Sequence, residues 1–176
     1  MKILVTGGVR SGKSRHAESL MSDFGAVTYV APGPMPNPSD DPDWAHRVRS
    51  HQERRPANWN TIETVHLDTA LNQAAGPVLI DCLGTWVTAL IDRLDGWGRP
   101  VSHWRTEFDA RVAEALTQLS GYDDHVVTVT NEVGWSVVPE HVSGRVFRDL
   151  LGAVNQQWAA LSDEVHLVVA GRVIRL

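Results

Sequence analysis

Near the amino terminus, Gly7-Gly8-Val9-Arg10-Ser11-Gly12-Lys13-Ser14 follows the pattern G-x-x-x-x-G-K-[ST]. Glycines in this order let a backbone wrap closely around an anion and aim successive N–H groups at it. Lys13 then neutralises β- and γ-phosphate oxygens, and the Ser14 hydroxyl is a ligand for Mg²⁺. Arg10 and Arg15 add charge beside the loop or are simply solvated. A loop of this kind needs an acidic partner for the metal. Asp81 ends the apolar run Val78-Leu79-Ile80, where such a carboxylate is expected. It has a second reading as the cap of a helix over 83–94, and the two roles are compatible.

A second concentration of chemistry lies between Arg47 and Pro56, where ten residues hold four arginines and His51. On a helix, Arg47, His51 and Arg54 share one face. A solvated surface helix has this composition, and so does a phosphate site. Arginine forks bind phosphate oxygens in pairs, and a neutral imidazole is a nucleophile near pH 7. Periodicity does not choose between these readings.

The elements that must position these groups are legible as alternating patterns. Ile3–Thr6, Ala26–Val30, Val78–Ile80, Val126–Thr130 and Val165–Ala170 are short runs rich in β-branched residues, as in buried parallel strands. The spacing predicts helices over 14–21 and 104–119, the latter with Phe108, Val112, Ala115, Leu116 and Leu119 inward. A third helix is expected after an N-cap at Ser143, burying Phe147, Leu150, Leu151, Val154, Trp158 and Leu161. Alternation of strand and helix predicts an α/β fold on a mostly parallel sheet, with an edge strand after Gly171. Five prolines between Ala31 and Asp43 exclude helix and central strand there. That stretch reads either as a loop over the site or as a plain surface loop.

The 176 residues suit a single domain, 1–176. A formal charge of −5 argues against a nucleic-acid partner. No apolar run approaches the ~18 residues of a membrane span, and no signal peptide is recognisable. The single cysteine, Cys82, lies at the end of an apolar run and reads as a small core residue. It excludes an intrachain disulfide, so a reducing, cytoplasmic setting is expected.

The residues resemble one family along nearly the whole chain: adenosylcobinamide kinase/adenosylcobinamide-phosphate guanylyltransferase of coenzyme B12 biosynthesis. The resemblance is carried by Gly7–Ser14, by Arg47-Val48 with His51, and by Arg55-Pro56 with Trp59, Thr61 and Glu63. It continues through Asp81-Cys82-Leu83, Thr130-Asn131-Glu132-Val133-Gly134, Arg145, Phe147-Arg148-Asp149, Asn155-Gln156 and Asp163-Glu164. The Thr-Asn-Glu-Val-Gly segment together with the His51 cluster is its most specific part.

The resemblance implies a RecA-like P-loop NTPase sheet, a homotrimer and two reactions. In one, GTP or ATP phosphorylates the aminopropanol hydroxyl of adenosylcobinamide. In the other, GTP guanylylates His51, and the GMP passes to adenosylcobinamide phosphate with release of pyrophosphate. Implied nucleotide contacts are Gly7, Gly8, Val9, Arg10, Ser11, Gly12, Lys13, Ser14, Ala31, Pro32, Gly33, Gln52, Glu53, Arg54, Arg55, Glu63 and Asp81. Mg²⁺ would be held by Ser14 and Asp81. Glu63 is a partner of Mg²⁺ or His51, or a plain surface carboxylate. Relatives carry threonine and acidic residues where this chain has its prolines. Rival readings are a monofunctional P-loop kinase, which has no need of His51, and a GTP-binding regulatory protein.

Overall fold

A computed structural model of the chain describes residues 1–33 and 42–176; in the second helix, the side chains of 43, 44, 47, 50, 51 and 54 lie outside the description. Most of the proline-rich stretch (34–41) is therefore outside the described residues.

The described strands form one sheet: β1 (Lys2–Gly7), β2 (Thr28–Ala31), β3 (Asn60–Glu63), β4 (Val78–Asp81), β5 (Val126–Val129), β6 (Glu164–Val169) and β7 (Arg172–Arg175). Their order is β3-β2-β4-β5-β1-β6-β7. Every pairing is parallel except the hairpin of β6 with β7. The helices are α1 (Lys13–Leu20), α2 (Pro42–Arg54), α3 (Leu67–Gln73), α4 (Leu83–Arg93), α5 (Arg105–Gly121) and α6 (Val142–Ala160).

The side-chain alternation of a strand divides the core between two faces. Leu4, Val30, Val78, Ile80 and Val126 pack with α3, α4, α5 and α6 on one side. Ile3, Val5, Tyr29, Leu79, Val127 and Val129 pack with Ala17 and Met21 from α1 and its end on the other. β1, β4 and β5 are thus apolar on both faces, as their continuous runs predict. Trp86 and Trp158 meet edge to face at 5.8 Å in the larger cluster, and the Trp86 indole N–H donates to the Val65 carbonyl at 2.8 Å.

The structure departs from the sequence reading at Pro42 and Asp43, which begin α2 where no helix was expected, at the start of α6, and at β3 and α3. Ser143 does not cap α6: the helix begins at Val142 with His141 as its N-cap, and no side chain caps it. The start is drawn back because Arg145 donates to the carbonyls of Pro139 and Glu140, while Gly144 lies against the Pro139 ring. Leu116, Phe147 and Leu161 are half-buried and pack against the larger cluster, in keeping with their inward reading. β3 and α3 were not anticipated, since β3 is an exposed edge strand in which only Ile62 is half-buried.

The buried Trp158 indole N–H donates to Thr128 Oγ1 at 3.0 Å. Thr128→Val keeps the volume and removes the acceptor, so it should cost about 1–3 kcal/mol in a urea titration. An unchanged midpoint would mean that the indole N–H needs no protein acceptor.

Candidate active site at the carboxyl edge of the sheet

The glycine-rich loop joins the end of β1 to the first turn of α1, so its backbone opens at the carboxyl edge of the central strands. Gly7 is buried, and a Cβ there would stand 2.4 Å from the Val168 carbonyl oxygen and 2.7 Å from Ser11 Oγ. Gly12 caps α1 with φ 97°, a left-handed conformation that glycine adopts without strain. The loop is closed by Ser11 N–H to the Gly8 carbonyl (3.3 Å) and tied to the β6–β7 turn by Gly171 N–H to the Ser11 carbonyl (2.8 Å). Lys13 is buried, and its ammonium donates to the Gly8 carbonyl at 3.1 Å.

Asp81 ends β4, one strand removed from β1. Its Oδ2 accepts the Tyr29 hydroxyl at 3.2 Å. Tyr29 is 2% exposed; burial, then the charge on Asp81, push its phenol well above the usual value. Over the face of that ring the Arg55 guanidinium stacks 3.4 Å from the centroid, and it also donates to Thr61 Oγ1 at 3.2 Å. The N-cap of α4 is Cys82, not Asp81. Cys82 packs against the smaller core cluster, as expected. Burial and the Asp81 charge raise its thiol, while Thr85 and the Lys13 ammonium oppose the rise.

Strand β5 lies between these groups, with Val129 in register with both Val5 and Asp81. Just beyond its end, Glu132 N–H donates to the Gly7 carbonyl at 3.1 Å, and Thr6 Oγ1 donates to Glu132 Oε1 at 3.1 Å. Asn131 is anchored by Asn155 Nδ2 on its carbonyl at 3.1 Å. Neither Tyr29 nor Glu132 was assigned a role from sequence. Their partners lie 52 and 126 residues away in the chain, so spacing gave no signal.

A family model described as cobinamide kinase / cobinamide phosphate guanyltransferase matches residues 3–176. The chain belongs to this family. It is 40% identical over 185 aligned positions to the bifunctional adenosylcobalamin biosynthesis protein CobU of Salmonella typhimurium strain LT2, covering 100% of this chain and 99% of that one. The CobU of Escherichia coli K12 is similar to the same degree, at 40% over 185 positions. The CobP of Pseudomonas aeruginosa is 35% identical, with 97% of this chain and 94% of that one aligned. Among solved structures, a type III secretion ATPase of pathogenic bacteria matches 94% of this chain and 50% of its own with a TM-score of 0.56. At 10% identity that likeness shows the fold alone, a mostly parallel sheet flanked by helices.

The structure brings Gly7–Ser14, Asp81 and the Ala31–Gly33 turn to one edge, because β2 pairs with β4 and Val30 is in register with Ile80. Pro32 is buried there and Gly33 half-buried. Val9 and Arg10 are exposed on the loop, and Gln52 and Glu53 are exposed near the end of α2. Glu63 is exposed on the outermost strand, two strands from β4. His51 is in α2, which is helical as the cluster reading required; its side chain and that of Arg54 are outside the described residues. His16 pairs instead with buried His166 at 2.9 Å. Burial first, then His166 and Arg175, lower its pKa.

The donor set fits Mg²⁺. A serine hydroxyl and a carboxylate are hard oxygen donors, and Mg²⁺ needs only one or two carboxylates when phosphates and water complete its shell. Two buried polar atoms without a hydrogen-bond partner among the described residues, Ser11 Oγ and Arg55 Nε, lie in this same set of expected nucleotide contacts.

The close approach at Gly7 makes a direct test. Gly7→Ala should weaken binding of a fluorescent GTP analogue by about tenfold or more, ~1.4 kcal/mol. Gly8→Ala should bind nearly as the parent, since nothing lies within 4 Å of a Cβ there. Equal losses would show that the packing under Gly7 is not what shapes the loop.

Proposed function

We propose that the chain is a bifunctional enzyme of cobalamin biosynthesis, acting first as adenosylcobinamide kinase and then as adenosylcobinamide-phosphate guanylyltransferase. The observation that carries this reading is the family match over residues 3–176, on a fold with one P-loop among the described residues. In the kinase step, GTP or ATP gives its γ-phosphoryl group to the aminopropanol hydroxyl. In the second, His51 attacks the α-phosphorus of GTP, pyrophosphate leaves, and the GMP moves to the phosphate of the corrinoid.

Both are displacements at phosphorus, in which positioning and charge neutralisation supply most of the catalysis. The loop N–H groups and Lys13 hold the phosphates, with Gly7–Ser14, Ala31–Gly33, Gln52–Arg55, Glu63 and Asp81 as nucleotide contacts. Mg²⁺, carried by Ser14 and Asp81, would neutralise phosphate charge. His51 serves as nucleophile because a neutral imidazole offers a ring-nitrogen lone pair to phosphorus. A resting phosphoramidate divides one difficult transfer into two easier ones.

We place the enzyme in the cytoplasm as a homotrimer. No helix among the described residues is long and apolar enough to cross a membrane. Val173, Ile174 and Leu176 leave apolar surface on the β7 edge that a second subunit can cover.

Incubation with cobinamide, GTP and Mg²⁺ should yield cobinamide phosphate and GDP-cobinamide by mass spectrometry. Lys13→Ala should lower both by about a hundredfold or more, because one phosphate cradle serves both reactions. Either product persisting near the parent level would rule out a shared site. Cobinamide phosphate alone from the parent protein would make it a monofunctional kinase.

A further inference from the structure

The acceptor hydroxyl must lose a proton as it attacks phosphorus, and the loop itself holds no base. Lys13 is a cation, and Asp81 already accepts the Tyr29 hydroxyl and is the expected metal carboxylate. Glu63 is exposed on the outermost strand. Glu132 differs from all of these. It stands just past the end of β5, the strand between the P-loop strand and the Asp81 strand, and its backbone N–H is bonded to the loop's own Gly7. Thr6 fixes one carboxylate oxygen, Oε1, from below. The other, Oε2, has no hydrogen-bond partner among the described residues. Beyond Glu132 the chain exposes Trp135, Val137 and Val138, at 72%, 90% and 56%. That segment leaves open apolar surface next to Glu132 for an acceptor with a large apolar body.

We propose that Glu132 is the general base of the phosphoryl transfer, with Thr6 as the residue that positions it; this rests on the kinase reading above. The acceptor oxygen forms a bond to the γ-phosphorus, and the bond from that phosphorus to the β–γ bridging oxygen breaks. The nucleoside diphosphate leaves, and the hydroxyl proton passes to Glu132 Oε2. Guanylylation of His51 requires no such base at the attacking atom, because the ring nitrogen that attacks carries no proton in the neutral imidazole.

The test compares the parent protein with Glu132→Gln, Glu132→Asp and Thr6→Val, each assayed for cobinamide phosphate against pH and for covalent GMP. Glu132→Gln should lower kcat for phosphorylation about 10²–10⁴-fold, with labelling by α-labelled GTP and the thermal midpoint retained. Glu132→Asp should be intermediate. Thr6→Val removes a hydrogen bond to the charged carboxylate, so the acid limb of the kcat profile should move to higher pH. A merely structural Thr6–Glu132 contact would leave that limb in place. Phosphorylation within about tenfold of the parent in Glu132→Gln would overturn the base. So would a parallel loss of labelling and phosphorylation, or an unshifted acid limb in Thr6→Val should Glu132→Gln not fold. A parent protein that makes no cobinamide phosphate would instead refute the kinase reading, and the base with it.

Discussion

A lysine ammonium is strongly hydrated, and Lys13 is 9% exposed. Holding it there requires acceptors from the loop itself, and Gly8 provides one at 3.1 Å. That in turn requires the backbone to curl tightly between β1 and α1, which only the absence of a side chain at Gly7 permits. The curl is then fixed from three directions. Val168 of β6 lies beneath it, Gly171 bonds to Ser11 from the β6–β7 turn, and Glu132 bonds to Gly7 from beyond β5. A loop held by both neighbouring strands presents its N–H groups in a fixed array, so little ordering entropy is lost when an anion arrives.

The same logic extends outward to the histidine helix. Arg55 follows α2 immediately and lies on Tyr29, whose hydroxyl reaches Asp81. This stack joins the end of α2 to the carboxylate at the end of β4 through a single buried ring. In the proposed chemistry the two reactions differ in which phosphorus is attacked, γ or α, while the nucleotide remains on one cradle. In that proposal a helix tethered to Asp81 would supply a nucleophile for the second without a second triphosphate site.

Local patterns revealed what local forces decide. β1, β4 and β5 carry unbroken apolar runs because both faces are covered, and α1, α5 and α6 were legible from period and composition. β3 was missed because an edge strand with polar residues at Asn60, Thr61 and Glu63 has no hydrophobic alternation to read. The N-cap at Ser143 failed for a different reason: α6 already begins at Val142, and Arg145 bonds the carbonyls of Pro139 and Glu140 just ahead of it, a local contact that composition does not show. At the site, the loop and Asp81 were visible as motifs, whereas Tyr29 reads as one more apolar strand residue. Its role depends on strands that only the fold brings side by side.

The central claim is that one histidine of α2 carries the guanylyl group. It is tested most directly by incubating the protein with α-labelled GTP, denaturing it and mapping the labelled peptide. The account predicts a single labelled peptide containing His51, with a bond that is cleaved in acid and survives base, as a phosphoramidate does. Label on His16, His46 or any residue other than His51, or an acid-stable adduct, would contradict it.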